Sequence, residues 1–185
     1  MTDISFSQVE GRRLLIIGEV GTGKTSLTRR LLKEAFEDSN DILTVIDMAP
    51  RTIKVDGKFI GGPLLEKMNP RVRYMTPNYL NAPRLTANSA DELTKLVSEN
   101  KSKIDTLLND FLLNPTRTLF VNDVSIYLQS GDLIDLLWTF FAARTVVANG
   151  YLGERLKSDY GTGISLRERD LMLKLADKMD LVVRL

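Results

Sequence analysis

The hydrophobic positions of this chain fall into two rhythms, short continuous runs and longer stretches spaced at three and four residues. Arg13-Leu14-Leu15-Ile16-Ile17 and Ile42-Leu43-Thr44-Val45-Ile46-Asp47 are continuous runs of buried-strand type. Between them, Leu27, Leu31 and Ala35, with Leu32 and Phe36, recur at helical spacing, and Glu37–Asp41 is a polar turn. Pro50 forbids continuation of the second run as a central strand. Asp56-Gly57 between two β-prone runs in 51–62 predicts a hairpin that projects from the end of that strand. Residues 63–88 carry Pro63, Pro70, Pro77 and Pro83 among Arg71, Arg73, Tyr74, Tyr79 and Arg84. They read as a long ordered loop with a short strand at Val72–Met75. Such a loop either offers a substrate or partner surface or packs on the sheet as decoration.

Ser89-Ala90-Asp91-Glu92 is a capping box. It opens a helix with Leu93, Leu96, Val97, Ile104, Leu107, Leu108, Phe111 and Leu112 on one stripe, stopped by Asn114-Pro115. A strand follows, Arg117 to Asn122, and then a helix over 132–144 that is apolar almost all round. Such a helix is either deeply buried or covered by a partner. Thr145–Asn149 is a further strand, ended by Asn149-Gly150 on the ligand side. The loop 150–163 has four glycines and either brings Arg155 or Lys157 to a phosphate or is merely flexible. Ser165 and Glu168 form a second capping box before a helix with Leu171, Met172, Leu175 and Met179 on one face, and 181–185 is a last strand.

Chemistry enters at Gly18-Glu19-Val20-Gly21-Thr22-Gly23-Lys24-Thr25, which has the form G-x-x-x-x-G-K-[ST]. Its glycines permit positive φ and close approach of a ligand to the backbone, so successive N–H groups form an anion nest. Lys24 reaches the outer phosphates, Thr25 supplies a hydroxyl for magnesium, and the helix that starts here, through Ser26, adds its positive end. The flanking strand and helix are the context that this motif requires. The second landmark is Leu119-Phe120-Val121-Asn122-Asp123, an apolar strand closed by an acid, the pattern of a carboxylate that holds magnesium through water. Asp123 is the choice for that carboxylate and Asp47 the rival. At a strand's carboxyl end Asp47 either faces the phosphates or is a plain strand cap.

Composition narrows the chemistry further. The chain has 185 residues, enough for one domain over 1–185 with a full core and an insertion at 51–88. With 25 Lys plus Arg against 24 Asp plus Glu, the net charge of +1 gives no nucleic-acid signal. The absence of Cys and His excludes disulfides, thiolate or imidazole metal sites, cysteine nucleophiles and Ser-His triads. Carboxylates, Lys, Arg, hydroxyls, backbone and a hard cation remain. There is neither a signal-peptide pattern nor an apolar run of membrane-spanning length, so a cytoplasmic, soluble protein is expected.

The whole chain resembles a P-loop NTPase domain: α/β, three layers, a mainly parallel sheet with helices on both faces, and the hairpin and loop after the second strand as an insertion. Within that superfamily it is most similar to the RecA- and KaiC-type (ASCE) ATPase division. There an extra strand and helix separate the P-loop strand from the Walker B strand, as Val72–Leu113 would here. The resemblance implies ATP and Mg2+ as cofactors, with Gly18, Glu19, Val20, Gly21, Thr22, Gly23, Lys24, Thr25 and Ser26 around the phosphates. It implies Thr25 and Asp123 as magnesium ligands and Asn149 as a polar sensor. Lys24, Asp47 and Asp123 are the catalytic candidates. The catalytic Glu of related ATPases is missing beside Asp123, where Asn122 and Val124 stand, and at Asp47-Met48-Ala49. Only Asp47 is placed to orient water, which implies slow intrinsic hydrolysis. Ile46-Asp47-Met48-Ala49-Pro50 also resembles the D-x-D-P strand end of polynucleotide 5′-hydroxyl kinases and ParA-type ATPases, without ParA's extra lysine.

The strings N-K-x-D and D-x-x-G are absent, which favours ATP over GTP. Three functions follow. One is a slow ATPase with a regulatory or assembly role, acting as a homo-oligomer or with a protein partner, its site completed by an arginine such as Arg144, Arg155 or Arg167. The second is a kinase with Asp47 as base for an acceptor hydroxyl. The third is a non-hydrolysing regulator.

Overall fold

The computed structural model describes residues 4–38, 40–50, 53–55, 58–60, 62–65, 69–156 and 158–185. A six-stranded sheet forms its centre, from β1 (Arg13–Gly18), β2 (Leu43–Asp47), β5 (Val72–Met75), β6 (Thr118–Asn122), β7 (Thr145–Tyr151) and β8 (Leu181–Arg184). The order is β5-β2-β6-β7-β1-β8, and every neighbouring pair is parallel. Both faces are covered, which is why the central strands read as continuous apolar runs rather than alternating ones. Leu14, Ile16, Val45, Phe120 and Val147 pack on one side under α1 (Phe6–Val9) and α2 (Lys24–Asp38). Leu15, Ile17, Ile46, Val121 and Ala148 pack on the other under α4 (Ala90–Leu113), α5 (Val124–Leu128), α6 (Leu133–Phe141) and α7 (Ile164–Ala176). The three-layer α/β expectation holds.

The strand that separates β1 from β6 in the sheet is β7. The expectation had assigned that separation to Val72–Leu113. That segment precedes β6 in the chain, but its strand pairs outside β2 at the sheet's edge, with Val72 opposite Leu43. The two-residue link predicted for the hairpin joins β3 (Ile53–Val55) and β4 (Lys58–Ile60), which pair antiparallel. Asp56-Gly57 itself lies outside the described residues.

Local structure differs from expectation in four further places. Ser89 does cap α4, accepting from the Glu92 N–H at 3.1 Å. Ser165 does not cap α7: that helix begins after Gly163, at φ 78°, and Glu168 turns inward to a buried ion pair instead of back to the helix start. Tertiary pairing wins over the local capping pattern there. Three short helices were unforeseen, α1 ahead of β1, α5 directly after Asp123 and α3 (Pro83–Thr86) inside the proline-rich segment, too brief for periodicity to register.

Helix α6 resolves its two alternatives by dividing them. Leu136 and Phe140 are fully buried, whereas Ile134, Trp138 and Phe141 are 67%, 65% and 50% exposed. The Arg13 guanidinium covers part of that outer face, 4.6 Å from the Phe141 ring centre. Leu112, expected on the buried stripe of α4, is partly exposed at the helix end. Among the described residues no helix is long and apolar enough to cross a membrane.

Candidate functional site

The carboxyl ends of β1, β6 and β7 open into a pocket of about 320 Å³. Its near wall is the turn between β1 and α2. Gly21 and Gly23 sit at φ 76° and 95°, and a Cβ at either would meet nothing within 4 Å. The glycines serve backbone conformation there, as a phosphate nest requires. Lys24, Thr25 and Ser26 form the first turn of α2, and all three line the pocket. The Lys24 ammonium folds back over the loop and donates to the carbonyls of Gly18 (2.9 Å) and Glu19 (2.7 Å). Burial lowers its pKa, while Asp123 and Glu19 oppose that shift. A phosphate arriving in the nest would give this cation the counter-charge that burial withholds.

Asp123 stands opposite Lys24. Its backbone is left-handed, φ 60° and ψ 55°, an uncommon state for a residue with a side chain. Asn149 fixes it by accepting from the Asp123 N–H at 3.1 Å. The carboxyl group accepts one bond from the Ser125 hydroxyl at 2.6 Å and otherwise faces the pocket. Burial raises its pKa, against the pull of Ser125, Lys24 and Arg84, with Asp47 adding to the rise. Thr25 and Asp123 are hard oxygen donors suited to a magnesium ion that keeps most of its waters and phosphate ligands. Among the described residues no cluster of three acidic groups exists that would form a self-sufficient cation cage.

Asp47 is placed differently. It is 1% exposed, and its carboxylate accepts from four donors: the N–H groups of Leu64 (2.5 Å) and Ala49 (3.1 Å), the Tyr74 hydroxyl (2.6 Å) and the Asn122 amide (2.8 Å). Burial first, and this bond second, push the Tyr74 hydroxyl pKa up. Asp47 thus ties β2 to β5, β6 and the Leu64 segment, and it does not line the pocket. Asn122 and Asn149 continue the network, with the Asn149 amide donating to Asn122 Oδ1 and Thr28 Oγ1, both at 2.9 Å. A buried polar chain therefore crosses the ends of β2, β6 and β7 to α2 and holds the strand ends in register.

Glu19 links the nest to the loop after β7. Its carboxylate accepts from the N–H groups of Val20 (2.8 Å), Glu154 (2.7 Å) and Arg155 (3.2 Å). Burial raises its pKa, but these bonds and one from Tyr151 outweigh it and leave the group below its usual value. The motif's variable position thus anchors a second loop, a role that the consensus does not disclose. Val20 lines the pocket, and the Thr22 hydroxyl donates to the Glu19 carbonyl at 2.9 Å. Gly18 is packed so tightly that a Cβ would collide with the Leu185 carbonyl.

Of the arginines singled out from the sequence, Arg155 is exposed and Arg167 donates to the Gly131 carbonyl at 2.8 Å. Neither they nor Arg144 line the pocket; Lys157 lies outside the described residues. Among the described residues, the arginines that do line it are Arg29 and Arg84. Arg29 bonds the carbonyls of Pro63 and Leu64, and Arg84 belongs to the far wall with Ala82, Leu85, Ile126 and Gln129. Nothing local in the sequence marks either one, since a scattered arginine carries no spacing signal.

Comparison with known proteins bears on the fold. The Ras family model matches residues 13–65, which span β1, the phosphate loop, α2, β2 and the hairpin segment. No curated protein sequence matches the chain. Flagellar accessory protein FlaH from Methanocaldococcus jannaschii is similar in structure, with a TM-score of 0.50 and 12% identity over 95% of this chain and 71% of that one. At that identity the likeness is one of fold, and the chain has the fold of P-loop NTPases.

Proposed function

From the P-loop NTPase fold as premise, we propose that this chain binds ATP with magnesium, hydrolyses it slowly, and uses the bound state to regulate or assemble a partner. The observation that carries the reading is Asp123, poised in the pocket across from Lys24 and the nest. Backbone amides of the loop and the Lys24 ammonium hold the phosphates. Thr25 and Asp123 hold magnesium, which supplies charge neutralisation on the phosphate oxygens when bound.

Slowness follows from what surrounds the site. Asp47 spends its lone pairs on four donors, so it is a poor base for water or for an acceptor hydroxyl. That same saturation weighs against the kinase reading. A partner role is supported by the outer face of α6, where Ile134, Trp138 and Phe141 stay in solvent. ATP is favoured over GTP by the position of β7 between β1 and β6, the arrangement of the RecA- and KaiC-type resemblance, and by the missing N-K-x-D string. The Ras-family match makes GTP the competitor to test.

The test follows γ-labelled ATP and GTP with magnesium, for wild type beside Lys24→Ala. Free labelled phosphate released slowly from ATP by wild type alone is the expected result. Lys24→Ala should weaken nucleotide binding by about tenfold to a hundredfold, the worth of a hydrogen-bonded charge. Equal affinity of the two proteins by calorimetry would sink the phosphate-loop assignment, and a preference for GTP would overturn the choice of nucleotide.

A further inference from the structure

We propose that Arg84 is the residue that recognises the terminal phosphate of the bound nucleotide. The inference rests on the nucleotide-binding reading above and adds to it a named discriminator between tri- and diphosphate.

The pocket has a direction. Lys24 and Thr25 at the start of α2 mark its outer-phosphate end. Asp123 faces them from just past β6, and the wall beyond is formed by α3 and α5. Arg84 comes from α3, and its charge acts on Asp123 in the same sense as that of Lys24. Two cations therefore flank Asp123, the one carboxyl group that lines the pocket among the described residues, one from the phosphate loop and one from the opposite wall.

The guanidinium is held from behind. Its side chain is 6% exposed, and Nη2 donates to Glu168 at 2.7 Å while Nη1 donates to the Leu156 carbonyl at 2.7 Å. Its plane lies over the Tyr151 ring, 5.1 Å from the ring centre. Glu168 is itself fixed by the Gln129 amide at 2.8 Å. These contacts use two of the five N–H donors of the fork, and with Arg84 on the pocket wall the remaining three are the ones an anion would meet. A phosphate oxygen would bind there without breaking the pair with Glu168. Such a preset donor stabilises phosphate charge with little reorganisation.

A purely structural strut would explain the pair less well. A buried ion pair is a weak source of net stability, and an apolar pair of similar size does as well. Placing its cation on the wall of a phosphate pocket gives the cost of burial a use. Arg84 also holds Leu156, while Glu19 of the phosphate loop holds Glu154 and Arg155 of the same segment. The terminal phosphate would thus sit between the two groups that restrain this loop.

The experiment measures calorimetric affinity for Mg-ADP and for Mg-AMP-PNP. It compares wild type with Arg84→Lys and with the double variant Arg84→Gln plus Glu168→Gln, which leaves no orphaned acid. The double variant should lose about tenfold or more for the triphosphate analogue and stay within about twofold for ADP, the scale of one charged hydrogen bond. Arg84→Lys should fall between. Equal loss for both nucleotides, or loss for neither, overturns the assignment while leaving nucleotide binding intact; wild type that binds neither nucleotide overturns both. A crystal structure of wild type with ADP and beryllium fluoride decides the matter even if the variants fail to fold. A guanidinium within hydrogen-bond distance of the fluorides supports the proposal, and one that stays on Glu168 and Leu156 alone ends it.

Discussion

Asp47 and Asp123 close adjacent parallel strands, and the structure gives them opposite surroundings. Asp47 ends β2 inside a ring of four donors, three from neighbouring segments and one from Ala49 just beyond the strand. Asp123, one step past β6, turns left-handed, keeps a single side-chain donor and lines the pocket beside Lys24. One carboxylate is satisfied and fastens the fold. The other is held in a partly buried place where burial raises its pKa and a cation would restore its charge. Position at the end of a strand puts an acid near the ligand side of an α/β sheet. What it does there depends on which backbone amides and hydroxyls reach it first.

The largest effect expected from breaking this contrast is at Asp47. Asp47→Asn replaces one acceptor oxygen with a donor amid four donors, and should cost roughly 2 kcal/mol or more of stability. Urea unfolding measures it, and a loss below about 0.5 kcal/mol, ordinary for a surface change, would mean that Asp47 is no clamp. Asp123→Asn should do the reverse. It removes a charge that burial disfavours, so the ligand-free protein should be at least as stable as wild type. What it should lose is the magnesium dependence of nucleotide binding, read by calorimetry with and without EDTA. If Asp47→Asn abolishes that dependence and Asp123→Asn does not, the two roles are exchanged.

The smallest effect sharpens the contrast with a third buried acid. Burial pushes Glu168 up from 4.5 to about 7, against the pull of Arg84 and the Gln129 amide, while Asp123 adds to the rise. The folded protein then keeps a proton that the unfolded chain has released. Its contribution to stability is complete below about pH 4.5 and is lost as pH rises to about 7. Glu168→Gln should remove that part of the slope in urea midpoints taken across this window. An unchanged slope would show that Glu168 ionises normally beside Arg84.

The near wall of the site was legible because its signals are local. The glycine spacing, Lys24, Thr25 and the apolar runs on either side are contiguous in the chain, and their conformational demands leave few alternatives. The strands were legible for the same reason, since both faces of the sheet are covered and apolar runs result. Glu168 shows where such reading fails. Its spacing from Ser165 satisfies a capping box, yet a partner 84 residues away in sequence takes it. Arg84 shows the complement: a lone arginine in a proline-rich stretch has no pattern, and only contacts of its side chain with Tyr151 of β7 and Glu168 of α7 hold it at the pocket.

The sequence by itself determined the nest, the order of strand, loop and helix, and the apolar content of both faces. These depend on neighbours within a few residues, where backbone preference and hydrophobic period act directly. Tertiary structure alone decided which strand lies between β1 and β6, which of two strand-end acids meets the pocket, and which arginines line it. Each of those depends on hydrogen bonds and packing between segments tens of residues apart, whose pairing is set by closure of the whole sheet and leaves no periodic trace along the chain.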